Sequence, residues 1–438
     1  MMNILIKNVD VIISGSEQNI IRNGNIGIQG DTILFVNAGG NTPPGFNPDK
    51  VIDGKNRLAM PGLVNAHTHS SMTLLRNFAD DLALEEWLFN RIIPLEAKLG
   101  PEDIYWGTML AIAEMIKSGT TCFADMYLHM DEVARAVLES GIRANISKGP
   151  LVSNLRGKPG ISVDSEGCME YFKTWNNQGN GRIKTCVEIH SVYLYDEMSL
   201  REAAELAKKL NAGIHIHVLE TEAERNNSIR MYGMNPAEAC LEFGIFDVPV
   251  IAAHCVHLSD SDMEILKSRN VNAVHNPGSN LKLGSGIARV PDMLDRGINV
   301  CLGTDGAASN NNLNMFEEMH LAALLHKGVQ CNPTLMNAKQ VLKMATANGA
   351  SALGFGDDTG YIDEGMKADI ILLDIDKPHL CPVNNPISAV VYSAQGSDVD
   401  TVIINGEVVM ENRKLLTIDE EKVKYKVKEI AARLSGLR

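Results

Sequence analysis

Residues 184–219 read KTCVEIHSVYLYDEMSLREAAELAKKLNAGIHIHVL. KTCVEIHS and GIHIHVL are short β-rich runs, and EMSLREAAELAKKLN between them carries a helical pattern. Strand, helix, strand in that order predicts two parallel strands joined by a helical crossover. The same alternation continues outward in both directions. LVNAHTH, TCFADMY and RANIS precede this unit, and VIAAHCV, VNAVHN and NVCLGTDG follow it, with helical patterns such as PEDIYWGTMLAIAEMIKSG between. Eight such units over roughly 300 residues fit a (β/α)8 barrel. An open doubly wound sheet would carry a Gly-rich phosphate loop after its first strand, and LVNAHTHSS has none.

The two ends of the chain read differently. ILIKNVDVII, NIGIQGDTILFV and KVIDGKNRLAM are β-rich runs broken by Gly, Asn and Asp. ADIILLDI, AVVYSA and TVIINGEVVM read as short strands near the other end, with Asn405-Gly406 as a hairpin turn, and a charged helix is expected from about Asp419. The expectation is an α/β chain. Residues 61–364 form the barrel, and residues 1–60 and 365–438 together build one small β-sandwich, the latter also carrying the terminal helix.

Composition narrows the function. The chain has 438 residues, 40 Lys+Arg against 54 Asp+Glu, and a net charge of −14. With 45% hydrophobic and 21% charged residues it is globular in composition. The acidic balance, without any Lys/Arg cluster, argues against nucleic acid as a partner. No stretch approaches the roughly 18–20 apolar residues of a membrane span. MMNILIKNVDVIISG alternates like a strand and lacks the basic region and cleavage site of a signal peptide. Eight scattered cysteines without CxxC fit a reduced, cytoplasmic protein.

Polar residues gather where the pattern places strand ends. His67, His69, His190, His217, His254, His275 and Asp305 all fall at or near the C-terminal ends of expected strands, the face on which barrels build active sites. His67 and His69 stand two apart, so both imidazoles point the same way from one strand. An isolated HxH is weak evidence, but this one closes the first barrel strand. Together with His217 and Asp305 it offers three imidazoles and a carboxylate, a set that suits zinc and leaves room for water. Bulk water has a pKa near 15.7 and zinc-bound water about 7, a difference on the order of 12 kcal/mol that a lone carboxylate base does not supply. Glu220, three residues after His217, is the candidate proton shuttle; as a bland alternative it is a charge opening the helical pattern of TEAE. His254 is either a ligand or a base beside the nucleophile. His215 shares the parity of His217 one layer deeper and reads as interior packing, His257 as loop structure, and Cys255 as a buried thiol.

PGLVNAHTHSSM, HVLETEAE, AHCVHLS, VHNPGSNLKLGSGIARVPDML and LGTDGAASNNNLNMFEEM closely resemble the amidohydrolase superfamily. Within it they are most similar to the 5-methylthioadenosine/S-adenosylhomocysteine deaminases, over nearly the whole chain. The resemblance implies a distorted (β/α)8 barrel with a small β-sandwich, one divalent metal per subunit (usually zinc) and hydrolytic loss of a purine 6-amino group. It implies a small-molecule nucleoside substrate and a homo-oligomer. Carried over by position, His67, His69, His217 and Asp305 hold the metal, and Asp305 helps to deprotonate water. Glu220 protonates ring N1, and His254 lies beside the nucleophile. Glu96 binds the ribose hydroxyls, His190 contacts the purine, and Trp87 is either a pocket wall or a core residue.

Two departures stand out. Lys148 occupies a position where the family has arginine, and Val187-Glu188-Ile189 replaces a Gly-Pro before the strand-four histidine. Lys148 and Arg156 are the candidate partners of a substrate carboxylate, or else solvated loop charges. Deamination of another heterocycle (guanine, a pterin or a triazine) would use the same metal site without needing Glu96. A non-catalytic scaffold would be expected to have lost ligands, and this chain keeps all of them.

Overall fold

The computed structural model describes residues 2–13, 20–39, 42–152 and 162–435. Eight parallel strands form the barrel wall: β1 Leu63–Thr68, β2 Thr120–Met126, β3 Arg143–Lys148, β4 Ile183–Ile189, β5 Gly213–Val218, β6 Val250–His254, β7 Asn272–His275 and β8 Val300–Leu302. Each pairs in parallel with the next, from β1 to β8. The seam between β8 and β1 is crossed at the rim, where the Asp305 amide donates to the His67 carbonyl at 3.0 Å. The strands are buried along almost their whole length because helices cover the outer face and side chains fill the inner one. Val64, Ala66, Cys122, Ala124, Cys186, Ile251, Val274 and Cys301 belong to one interior cluster.

The β4–β5 unit shows how local sequence writes this pattern. Its crossover helix, Glu197–Leu210, starts at Asp196, whose side chain accepts from the Ser199 amide at 2.8 Å. Leu200, Ala203, Ala204 and Ala207 recur at helical spacing and are fully buried. Asn211 ends the helix in the left-handed conformation at φ 50°.

Strands from both chain ends form a nine-stranded sheet. Successive side chains go to opposite faces. Ile4, Ile6, Ile26, Ile28, Ile370 and Leu372 therefore make one separate core, while Leu58, Met60, Ile371 and Leu373 join the barrel's own. Asn405 and Gly406, at φ 51° and 77°, make the expected hairpin turn. The segment AVVYSA departs from expectation: Pro386–Tyr392 is a helix. Asn385 accepts from the Ile387 and Ser388 amides and Pro386 opens the first turn, so an N-cap outweighs the β preference of the valines.

Arg143 at the start of β3 ties the barrel to this sheet. Its guanidinium donates to both oxygens of Asp369, at 2.8 and 2.9 Å, and to Asn405 Oδ1 at 3.1 Å, with both ionic partners buried. Removing one member of a buried pair strands the other. Arg143→Met is therefore expected to destabilise the fold by about 3–5 kcal/mol, read as a lowered denaturation midpoint.

Candidate metal centre

Strands β5, β6 and β8 end in residues with positive φ: Leu219 at 52°, His254 at 71° and Asp305 at 64°. Non-glycine residues seldom adopt this conformation, and it turns the chain sharply at the rim. Glycines make room for Asp305. A Cβ on Gly303 would lie 2.8 Å from the His67 amide nitrogen, and one on Gly306 would lie 2.5 Å from the Met72 sulfur.

Four of the expected residues converge. Asp305 Oδ1 is 3.5 Å from His67 Nε2 and 3.4 Å from His69 Nε2. His217 Nε2 is 3.4 Å from His69 Nε2. The other ring nitrogens are already engaged: His69 Nδ1 donates to the Met126 carbonyl at 2.6 Å, and His217 Nδ1 to the His190 carbonyl at 2.8 Å. These bonds place the protons on Nδ1 and leave each Nε2 lone pair facing the centre. His67 Nε2 is buried with no hydrogen-bond partner. Ligand atoms of His67, His69 and His217, and of His67, His254 and Asp305, lie within 4.8 Å of one another.

Charge follows the same geometry. Burial pushes His67 down to about 4 and holds His217 well below the usual imidazole range, so both are neutral donors. Burial pushes Asp305 up, but the facing His67, His69 and His254 imidazoles outweigh it and hold the carboxylate well below its usual range. An orphaned imidazole nitrogen, two more Nε2 lone pairs and an ionised carboxylate are the donor set of a divalent cation such as zinc.

His215 is fully buried in the barrel interior, as expected, and also has a polar task there. Its Nε2 accepts from His67 Nδ1 at 2.9 Å, and its Nδ1 donates to Ser147 Oγ at 3.2 Å. It thereby fixes which nitrogen of His67 faces the centre. His215→Ala is expected to weaken metal affinity about 10- to 100-fold, measured by competition with a chromophoric chelator.

Other partners of the site escaped the sequence reading. Ser279 Oγ donates to Asp305 Oδ2 at 2.6 Å, and Asn280 Oδ1 accepts from His254 Nδ1 at 2.8 Å. Both come from the HNPGSN segment, which Glu318 anchors by accepting the Gly278 amide at 3.0 Å. The buried Glu224 accepts the amides of Leu219 and Glu220 at 3.0 and 2.8 Å and so holds the turn that carries Glu220. The only advance signal was that these residues sit inside distinctive motifs.

Above the centre lies a cavity of about 530 Å³, lined by Glu96, Trp87, His190, Lys148, Glu220 and His254 among others. That volume suits a small organic ligand. Burial raises the Glu220 carboxyl; His254 Nε2, 3.8 Å away, offsets this in part, and Ser285 Oγ donates to it at 3.2 Å. Burial pulls His254 down, but the Glu220 and Asp305 carboxylates outweigh it and leave it above the usual imidazole range. Glu96 accepts from the Tyr127 hydroxyl at 2.7 Å, and burial raises its carboxyl. Its chain position follows the π-helical stretch Glu86–Ile92. Trp87 is both core and cavity wall. His190 lines the cavity beside His217, with ring centroids 4.5 Å apart, and burial pushes it down to about 3. Lys148 also lines the cavity, though its Nζ lies 3.4 Å from Asp131 Oδ2. Arg156 lies outside the described residues.

Comparison with known proteins adds an independent line. The family model described as the amidohydrolase family matches residues 58–409. A 5-methylthioadenosine/S-adenosylhomocysteine deaminase of Acetivibrio thermocellus is 64% identical, over 99% of this chain and 100% of its own. A 5′-deoxyadenosine deaminase of Methanosarcina acetivorans is 49% identical, over 97% and 96% respectively. Among solved structures, an adenosine deaminase from Xanthomonas campestris with bound zinc matches with a TM-score of 0.94 at 32% identity, covering 99% of both chains.

Proposed function

The chain belongs to the amidohydrolase family and, within it, to the 5-methylthioadenosine/S-adenosylhomocysteine deaminases, and from that premise we propose how its residues divide the work. The reaction is hydrolytic deamination of an adenosine-type nucleoside, in which oxygen from water replaces the 6-amino group and ammonia leaves. His67, His69, His217 and Asp305 hold one divalent cation, which we take to be zinc from the donor set. When bound, such a cation lowers the pKa of water from about 15.7 to about 7 and makes hydroxide available at neutral pH.

The chain's own groups do the rest. Glu96 accepts the two ribose hydroxyls, for which a carboxylate is suited. Its bond to Tyr127 fixes the carboxylate's orientation before substrate arrives. His190 and Trp87 flank the base, which brings C6 toward the metal centre. Glu220, whose carboxyl burial raises, gives a proton to ring N1 and so makes C6 electrophilic. His254 Nε2, with Nδ1 bonded to Asn280, faces the same space and accepts a proton from the attacking water. Asp305, ionised before the attack, shares that role. Proton transfer to the departing amino group completes the exchange.

The observation that carries this reading is that one cavity is lined by His69, His217 and Asp305 of the metal set together with a buried acid, Glu220, and a carboxylate suited to a cis-diol, Glu96. An ultraviolet assay on 5′-substituted adenosines, with ammonia measured in parallel, tests it. Absence of ammonia release from every nucleoside would overturn it. Glu96→Ala is expected to lower kcat/KM on nucleosides about 100-fold or more, since two hydrogen bonds to a charged group are lost; turnover left intact would favour a free heterocycle as substrate.

The same reading treats the enzyme as a cytoplasmic homo-oligomer. All eight cysteines are free thiols, the state that a reducing compartment maintains. Among the described residues no helix is long and apolar enough to cross a membrane. The oligomer is an expectation from the family, testable by light scattering.

A further inference from the structure

One carboxylate in the cavity has no task in the reaction above. Glu188 lies on β4 in register with His215, so its side chain enters the barrel interior instead of the helical layer. It lines the same cavity as Glu96, His190 and Lys148. It packs against Gly149, where an added Cβ would lie 3.5 Å from Glu188 Cδ and 3.6 Å from its Oε2. Among the described residues no donor is hydrogen-bonded to this carboxylate. The nearby cation Lys148 turns to Asp131 instead. Burial, with Asp125 adding to it, pushes Glu188 up to about 8.

A half-buried carboxylate that lines a cavity without a protein partner is a place where a ligand can complete the pairing. The partner must bring positive charge and N–H donors. Adenine and ribose are neutral, and in the reading above their polar edges are met by the metal centre, Glu220 and Glu96. What remains of the substrate is its 5′ substituent. We propose that Glu188 binds the ammonium group of a 5′ tail. The cavity is then built for an adenosine thioether ending in an amino acid, with Lys148, next to Gly149 in the chain, facing the tail's carboxylate. This rests on the nucleoside-deaminase reading and deepens it. It also gives a role to the segment Val187-Glu188-Ile189, which stands where the resemblance leads one to expect Gly-Pro.

The test compares kcat/KM of the full-length enzyme and of Glu188→Gln on three substrates. These are S-adenosylhomocysteine, the same thioether lacking the α-amino group, and 5-methylthioadenosine. The wild-type enzyme is expected to lose about 10- to 100-fold when the amino group is removed, the size of a hydrogen bond to a charged group. In Glu188→Gln the first two substrates are expected to converge. The proposal is overturned if wild type handles the des-amino thioether as well as the parent, or if the variant keeps the wild-type preference for the amino group. Should the variant fail to fold, the wild-type comparison alone decides. 5-Methylthioadenosine, with its uncharged tail, separates the two levels. If wild type deaminates none of the three substrates, the deaminase reading fails; if it deaminates them but shows no amino-group preference, only the role of Glu188 fails.

Discussion

Glu220→Gln is expected to retain its bound metal and to lose about 10²–10⁴-fold in kcat, the usual contribution of a positioned general acid. Glutamine fills the same space beside Ser285 and His254 but has no acidic proton to transfer. Metal content and circular dichroism should match wild type, which places the loss in the chemical step. The sign of the pH dependence follows from the carboxyl. Burial raises it, with the His254 imidazole offsetting part of the effect. In the proposed mechanism the active form is the protonated one, so wild-type kcat is expected to fall as pH rises through this raised value, and the variant's residual rate should lack that limb. Unchanged kcat would remove Glu220 from its role.

Stripping the metal with a strong chelator is expected to take turnover below detection, and zinc to restore it. The effect is the larger of the two because generating hydroxide at neutral pH without a cation is worth on the order of 12 kcal/mol. The protein should also lose thermal stability, since a ligand that binds only the folded chain stabilises it by mass action. A local reason for that loss is visible: His67 Nε2 is buried and unpaired, and Asp305 is an ionised carboxylate among imidazoles. Restoration by other divalent ions ranks the metals for this donor set. A stripped enzyme as active as the loaded one would sink the mechanism.

The legible part of the site was the part that periodicity controls. His67 and His69 stand two apart on one strand, and His217, His254 and Asp305 sit at strand ends, so their common face was readable from position alone. His215 shows the limit of that argument. Parity placed it on the interior face, but the bond to His67 Nδ1 depends on two strands that are not neighbours in the chain or in the sheet. Tyr127 with Glu96, Ser279 with Asp305, and Asn280 with His254 are separated by 31, 26 and 26 residues, and each bond is made across the barrel rim. The helix at Pro386–Tyr392 was misread for a different reason. Two valines and a tyrosine argued for a strand, whereas an Asn-Pro cap, a purely local signal, argued for a helix and prevailed.

Residue types and their spacing were enough, by themselves, to establish an α/β barrel with reactive side chains on one rim. Hydrophobic periodicity is a local consequence of backbone geometry and survives in the chain as written. Only the tertiary structure decided which lone pairs meet. Convergence of His67, His69, His217 and Asp305 requires the strands to curl until β8 returns to β1 and the rim residues to turn through positive φ. It also requires distant carbonyls, His215 and Ser279 to orient each donor. Those are relations between segments far apart in sequence, and they exist only once the barrel has closed.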